Sequence, residues 1–187
     1  MKRIDFCVKE SCSDALFSYP CVDANSKHLS KRITSIYGED RIIQNDWIKE
    51  LGGTIAETEE EKAKAKIAIV CPNKISKLGE DLYYEVLDYY IETLQFLVSN
   101  MKSKHNFKHI VVILPSKSDE TSTEFDRMAY YAIYGLVKGL GKTYAQYNLY
   151  VNGIILNSLD PNLYLKERIQ YLISDNSCNT VGQIFKL

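Results

Sequence analysis

Short runs of apolar residues alternate with longer periodic segments in the second half of the chain. Three continuous apolar runs have the length of buried strands: Ile67–Cys71, Ile110–Leu114 and Val151–Leu156. Between them, apolar residues recur every three to four positions, which predicts long helices over Glu80–Met101 and Glu124–Tyr147. Apolar strands that alternate with helices form a parallel sheet covered on both faces. We therefore predict an α/β fold with a Rossmann-like open parallel sheet sandwiched by helices.

The remaining segments carry weaker patterns. In chain order they predict a strand over Arg3–Val8, a Ser-rich irregular segment over Lys9–Asp40, a helix over Arg41–Leu51, a charged and solvated stretch over Glu57–Lys66, a helix over Leu163–Ser174 and a strand over Val181–Leu187.

Composition limits the classes of partner. The chain has 187 residues, and Lys plus Arg number 23 against 24 Asp plus Glu, for a net charge of −1. We expect one domain over residues 1–187. Without a basic excess, nucleic-acid binding and attraction to a membrane surface are disfavoured. Residues Met1–Val8 are too short and too polar for a signal peptide, and no apolar run reaches the length of a membrane span. A cytoplasmic location is therefore expected.

The thiols and imidazoles do not predict a metal site. The five cysteines form no CxxC pair, and no histidine lies close enough in sequence to form a Cys/His cluster with them. We interpret the cysteines as reduced, small apolar residues and expect no ligand or base role for the histidines. The residues concerned are Cys7, Cys12, Cys21, Cys71, Cys178, His28, His105 and His109.

Residues 67–187 resemble the short-chain dehydrogenase/reductase family in four segments that follow the family's order. The segments are VLDYYIETLQFLVSNM (Val86–Met101), HIVVILPS (His109–Ser116), YYAIYGLVKGLGKTYAQYNLYVNGI (Tyr130–Ile154) and YLISDNSCNTVGQIFKL (Tyr171–Leu187). They are similar to the family's long interface helix, the strand that delivers its catalytic Ser, its YxxxK helix with the following RVNAI strand, and its LASDxASxxTGQxLxVDGG end.

The resemblance implies where catalytic residues would stand. In the family a Tyr donates a proton to a carbonyl, a Lys one helical turn on lowers the pKa of that Tyr, and a Ser polarises the carbonyl. Placing Gly139–Ala145 on the family's GLTKSLA puts the Tyr at Tyr130 and the Lys position on Tyr134, while the Ser position falls on Pro115 or Ser116. A neutral phenol at Tyr134 supplies no positive charge. Ser116 and Tyr130 are therefore vestigial candidates.

Other registers do not restore the pair. Starting from Tyr131 puts Gly135 at the Lys position. Pairing Tyr134 with Lys138 gives YGLVK, but this breaks the match of the following helix. Further family positions also differ: the Asn of the interface helix falls on Tyr90, the Pro-Gly after the VN strand on Leu156–Asn157, and NNAG on Cys71–Lys74.

A dinucleotide site also needs a glycine-rich turn after the first strand, so that the backbone can approach the pyrophosphate. The first glycine of this chain is Gly38. We place the family's TGxxxGxG on Cys7–Pro20, which contains none. Only 66 residues precede Ile67, which predicts a shortened first half. We therefore expect no nicotinamide cofactor.

These differences favour a non-catalytic subunit that pairs with an active, NAD(P)H-dependent ketoreductase. The family suggests acyl thioesters of fatty-acid or polyketide-like biosynthesis as that enzyme's substrates. Two alternatives are a divergent enzyme that uses Ser116 and Tyr130 on a small carbonyl substrate, and a homodimeric protein that binds a small ligand.

The pairing surface is predicted to be helices 80–101 and 124–147, which form a four-helix interface in the family. The abundance of Tyr, 14 residues, fits an interface, where aromatic side chains are enriched. We predict that the interface side chains are Tyr83, Tyr84, Leu87, Tyr89, Tyr90 and Phe96 on the first helix, and Tyr130, Tyr131, Tyr134, Val137 and Tyr144 on the second. A partner of related fold is preferred, with a homodimer as the fallback.

Overall fold

A computed structural model describes residues 32–38, 42–50, 52–73, 80–101, 107–114, 123–156, 163–174, 177 and 179–187, with the backbone alone at 80–82. The described strands are β1 (Ile33–Tyr37), β2 (Thr54–Ile55), β3 (Ile67–Val70), β4 (Lys108–Leu114), β5 (Leu149–Ile155) and β6 (Ile184–Lys186). The helices are α1 (Asn45–Glu50), α2 (Glu59–Lys64), α3 (Glu80–Met101), α4 (Glu124–Tyr144) and α5 (Leu163–Ile173). The predicted strand Arg3–Val8 lies outside these residues.

The six strands form one parallel sheet in the order β2-β1-β3-β4-β5-β6. The chain moves outward from β1 to β2 and then returns to β3 on the other side of β1. This reversal between β1 and β3 is the switch point of a Rossmann-like fold. Among the described strands, two lie on one side of it and four on the other, and the predicted Rossmann-like α/β fold class is confirmed.

Two apolar layers enclose the sheet. Strand side chains alternate between the faces, so Ala68 and Val70 pack with α3 and α4, whereas Ile67 and Ile69 pack with α1 and α5. Strands β3, β4 and β5 are buried on both sides, which explains their continuous apolar runs.

The last crossover has the opposite hand to the two before it. From β3 to β6 each strand is the neighbour of the preceding one in the same direction. The crossovers through α3 and α4 pass over one face, whereas α5 passes over the other. About 98% of parallel crossovers are right-handed. Because these crossovers have opposite hands, the sheet contains at least one of the rare left-handed connections.

Helix α3 has the predicted limits, and the other second-half elements differ from prediction by a few residues. The predicted end of the second long helix, Ala145–Tyr147, is a 3-10 turn. The predicted helix over Arg41–Leu51 is shorter, at Asn45–Glu50. The solvated stretch Glu57–Lys66 contains α2, which has no buried residue and begins with a capping box between Thr58 and Glu61.

The prediction that Lys9–Asp40 is irregular was wrong at its carboxyl end. Strand β1 lies there, beside β3. Its central side chains, Thr34 and Ser35, are fully buried, and the Ser35 hydroxyl donates to the Ile67 carbonyl at 3.2 Å. Two small hydroxyl side chains, of which Ser35 is hydrogen-bonded inside the sheet, therefore replace the apolar run by which buried strands are recognised. Along the described ranges, no helix combines the length and apolar character that crossing a membrane requires.

Candidate functional site

The switch point lies at the carboxyl ends of β1 and β3, where open α/β sheets bind ligands. Strand β1 ends at Tyr37, and Gly38 follows with a φ of 86°. A Cβ atom at Gly38 would lie 2.2 Å from the Cys71 carbonyl oxygen and 2.6 Å from the Tyr89 hydroxyl. Both the backbone angle and the close packing therefore require glycine here.

This position corrects the predicted location of the cofactor turn. The strand at the switch point is β1, so the family's cofactor turn corresponds to the segment that begins at Gly38, whereas the prediction placed it on Cys7–Pro20, outside the described residues. Aligned on Gly38, the family's TGxxxGxG reads YGEDRIIQ. The first glycine is present, and the other two are replaced by Ile42, which is buried against α1 and α5, and by Gln44.

The space beside Gly38 is filled by this chain's own α3. The Tyr89 hydroxyl lies against Gly38, where the close approach of a phosphate would otherwise be possible. The hydroxyl atoms of Tyr89 and Tyr37 are both buried. Burial raises the pKa of the Tyr89 phenol, and the neighbouring Cys71 thiol raises it further. Tyr89 is therefore a neutral phenol at physiological pH.

Tyr90, at the family's Asn position, is committed to the sheet. Its hydroxyl donates to the Ile113 carbonyl at 2.6 Å, and its ring is fully buried. The parallel register pairs β3 with β4 such that His109 N–H donates to the Lys66 carbonyl. Continuing that alternation, the donor for the Ile113 carbonyl would be residue 72, and Pro72 has no N–H. The phenol supplies the missing donor, and burial raises its pKa.

The vestigial Tyr lies inside the protein. Tyr130 is only 6% exposed and packs in the core between α3, α4 and the sheet. Tyr134 is half-buried, with its ring centroid 5.9 Å from that of Tyr130. Tyr131 is the exposed member of the group. Ser116 lies outside the described residues, so its proposed partnership with Tyr130 stays a prediction.

Lys138 is the only cation that the alternative YxxxK register offers. Its ammonium lies 5.7 Å from the centroid of the Tyr134 ring, over the ring face. This is a cation–π contact, which pairs the charge with the aromatic face. In this register, the helix segment that follows no longer matches the family's GLTKSLA pattern.

The carboxyl-terminal turn is held by contacts of residues to which the sequence assigned no role. Asn152 donates to the Thr180 carbonyl at 2.8 Å and accepts from Gln183 N–H at 3.0 Å. A Cβ at Gly141 of α4 would lie 2.5 Å from Gly182, whose φ is 61°. The contact is structural, and its only sequence signal was the resemblance to the family's VN and TGQ segments.

A nicotinamide cofactor does not fit these residues. The close-approach position at Gly38 is taken by the Tyr89 phenol. The position of the ribose-holding Lys carries Tyr134, and the second and third glycine positions carry Ile42 and Gln44. We therefore derive no hydride-transfer step on this chain.

The outer face of α3 and α4 differs from the predicted interface stripes. Tyr83, Tyr90, Tyr130 and Val137 belong to the core, which corrects their assignment to an interface. They are buried because the apolar stripe of each helix covers the sheet and the other helix. The large apolar side chains on the outside are Tyr84, Phe96, Met128 and Tyr131, each 48–58% exposed.

Two glycines of α4 have no internal role. At Gly135 and Gly139 an added Cβ would meet nothing within 4 Å, whereas Gly141 of the same helix is closely packed. A glycine inside a helix costs about 1 kcal/mol relative to alanine. Gly135 and Gly139 lie one turn apart on the exposed side, near Met128 and Tyr131. Together these four residues form the outer stripe of α4.

Comparisons with known proteins support the fold. A short-chain dehydrogenase from Mycobacterium smegmatis matches with a TM-score of 0.61 and 11% identity, covering 90% of this chain and 95% of its own. A gluconate 5-dehydrogenase from Burkholderia cenocepacia J2315, solved with NADP and tartrate, matches with a TM-score of 0.62 and 14% identity, covering 88% of this chain and 96% of its own. A Serratia marcescens short-chain dehydrogenase/reductase variant matches at 0.61 and 14%, with coverages of 86% and 97%. No family model and no curated protein matches. The chain thus has a short-chain-dehydrogenase-like fold.

Proposed function

We propose that this chain is a non-catalytic, short-chain-reductase-like subunit that pairs with an active NAD(P)H-dependent ketoreductase through α3 and α4 and supports it. The observation that carries the proposal is Tyr89 at the switch point. Its phenol contacts Gly38 where a dinucleotide would need to approach the backbone. A side chain of α3 thus occupies the space at Gly38 that a dinucleotide would need.

The residues that would perform proton transfer support the same conclusion. Tyr134 replaces the Lys, and Tyr90 replaces the Asn and is bonded to the strand carbonyl of Ile113. Tyr130 is packed in the core, away from bulk water. A general acid must reach the atom that it protonates within hydrogen-bond distance, and a core position does not provide this reach.

Pairing is supported by the outer face of α3 and α4. Four large apolar side chains are exposed on these two helices, and the outer stripe of α4 contains two glycines with open space above them. Without side chains at these positions, another helix can approach the backbone closely. The packing gained in this way would offset the stability that glycine costs inside a helix. The ketoreductase would supply hydride transfer, and acyl thioesters are the substrate class that we assign to it.

The cofactor test uses the isolated chain. We expect no heat of binding when NADPH or NAD is titrated up to about 1 mM, a concentration at the upper end of ordinary KM values. A short-chain reductase of known activity in the same calorimeter is the control. Micromolar binding by this chain would overturn the non-catalytic assignment.

The pairing test searches the genes beside the one for this chain for an intact short-chain reductase and co-expresses the two proteins. A 1:1 complex by size exclusion and mass measurement, with reductase activity higher than for the reductase alone, is the expected result. Tyr130→Phe in this chain should leave the activity of the complex nearly unchanged. A loss on the order of 10²-fold, as expected for a general acid, would favour the divergent enzyme that uses Ser116 and Tyr130.

A further inference from the structure

The outer sides of α3 and α4 carry charges of opposite sign. Helix α3 contains no Lys, Arg or His, and its carboxylates at Asp88 and Glu92 are exposed one turn apart. On α4, Arg127 and Lys142 are exposed, against Glu124 as the exposed acidic residue of that helix. Within the described ranges, the charges at positions 88, 92, 127 and 142 take part in no ion pair. They are therefore available to a partner.

Apolar side chains accompany these charges. Tyr84 and Phe96 on α3, and Met128 and Tyr131 on α4, are each about half exposed. Tyr131 stands one turn after Arg127, so the apolar and the charged groups share one side of the helix. A partner that covers this mixed surface must match its charges, because taking an unmatched charge out of water is costly.

The direction of the two helices restricts how a second copy of the chain can meet this surface. Both helices connect parallel strands across the same face of the sheet, so they run side by side in the same direction. A two-fold axis perpendicular to the helices would place α3 on α3 and α4 on α4, with like charges opposed. A two-fold axis along the helices places α3 of each copy on α4 of the other. This second arrangement pairs opposite charges.

We infer that a second copy of this chain covers the outer sides of α3 and α4 when the reductase is absent, with α3 of each copy on α4 of the other. Charge complementarity selects this occupant, because Asp88 and Glu92 of one copy meet the basic side of α4 in the other, and the contact repeats across the axis. The inference goes beyond the proposed function. The homodimer uses the surface assigned to the reductase, so the two assemblies exclude one another and the complex forms by exchange.

Charge reversal in two complementary variants tests this arrangement. Asp88→Lys/Glu92→Lys makes the outer side of α3 basic, and Arg127→Glu/Lys142→Glu makes that of α4 acidic. Each variant alone opposes like charges in both halves of the dimer, whereas a mixture of the two pairs opposite charges in both halves. Glu167→Lys, at an exposed position of α5 on the opposite face of the sheet, is the control for a change in net charge.

Sedimentation velocity across the micromolar range measures the association of wild type, each variant and the equimolar mixture. We expect wild type and the α5 control to form a dimer that dissociates on dilution, because exposed ion pairs each contribute little. Each charge-reversed variant should associate with itself at least about tenfold more weakly, and the mixture should recover the wild-type affinity. Raising NaCl from about 0.1 M to about 1 M, which shortens the Debye length from about 10 Å to about 3 Å, should reduce these differences.

Several results would overturn the inference. They are a wild type that stays monomeric, two reversed variants that dimerise as tightly as wild type, and a mixture that stays monomeric although both variants unfold cooperatively in urea. Tighter binding of wild type to Asp88→Lys/Glu92→Lys than to itself would place α3 on α3 and would also overturn it.

If a reversed variant does not fold, the neutral variant Asp88→Asn/Glu92→Gln decides the question. Weaker self-association than wild type supports the inference, and unchanged self-association overturns it. A monomeric wild type leaves the proposed function standing, and a co-expressed reductase that does not bind leaves the homodimer standing, so the two failures are distinguishable.

Discussion

Tyr90 illustrates how a single residue can change from a catalytic position to a structural one. Its phenol donates to the Ile113 carbonyl because Pro72 leaves that carbonyl without a ladder donor. The sequence showed both the Tyr and the Pro, but only the register of β3 on β4 shows that they belong to the same hydrogen bond. A pairing between residues distant in sequence could not be predicted from local patterns.

Replacing Tyr90 with Phe should destabilise the fold. The ring is kept, but the Ile113 carbonyl becomes a buried acceptor without a donor, which costs about 1–3 kcal/mol. Urea unfolding of the monomer measures the change. Tyr84→Phe, which alters an exposed phenol in the same helix, is the matched control and should change stability by less than about 0.5 kcal/mol. Equal effects of the two variants would show that the Tyr90 hydrogen bond contributes nothing.

The same pair predicts a pH dependence. Burial raises the pKa of Tyr90 in the folded state above its unfolded value near 10. Its contribution to stability is therefore complete below about pH 10 and is lost as pH rises further. We expect the wild type to lose stability above that pH more steeply than Tyr90→Phe. Parallel curves for the two proteins would contradict this assignment.

At the scale of elements, the long periodic helices and the apolar strands could be predicted, and the first strand could not. Helix α3 was predicted with its observed limits because its apolar residues recur at the helical period over six turns. Strand β1 was missed because Thr34 and Ser35, its buried residues, are polar. That omission displaced the cofactor turn in the prediction. The buried positions of Tyr83, Tyr90 and Tyr130 were also missed, because a broad aromatic stripe does not reveal which side faces the sheet.

Helix α4 offers two glycines whose replacement should have opposite effects. Gly139→Ala should stabilise the isolated chain by up to about 1 kcal/mol, because the new Cβ enters open space and alanine favours the helix. Gly141→Ala should destabilise it by about 1–3 kcal/mol, because the Cβ would overlap the Gly182 backbone. Urea unfolding of both variants checks this. Destabilisation by Gly139→Ala would indicate an internal contact at that position.

For the whole molecule, the open space at Gly135 and Gly139 predicts that larger side chains there change the affinity for a partner and not the stability of the chain. Gly135→Leu and Gly139→Leu should leave the isolated chain folded and at least as stable, since leucine is a good helix former and the space is open. Both should weaken association with the reductase by tenfold or more, because the added side chains hold the partner helix away. Affinity is measured by calorimetry. Glu167→Leu, which places the same side chain at an exposed position of α5 on the opposite face of the sheet, is the control. Unchanged affinity in the glycine variants would contradict this contact.

The phenol at Gly38 has a consequence for regulation. Tyr89 belongs to the same chain as the space at Gly38 that it occupies. It therefore acts like a ligand at a fixed effective concentration. A freely diffusing nucleotide stabilises its binding protein by an amount that varies with nucleotide supply. A tethered occupant contributes the same stability at every metabolite level. Under the proposed function, we therefore expect the surface offered by α3 and α4 to be the same at every nucleotide concentration.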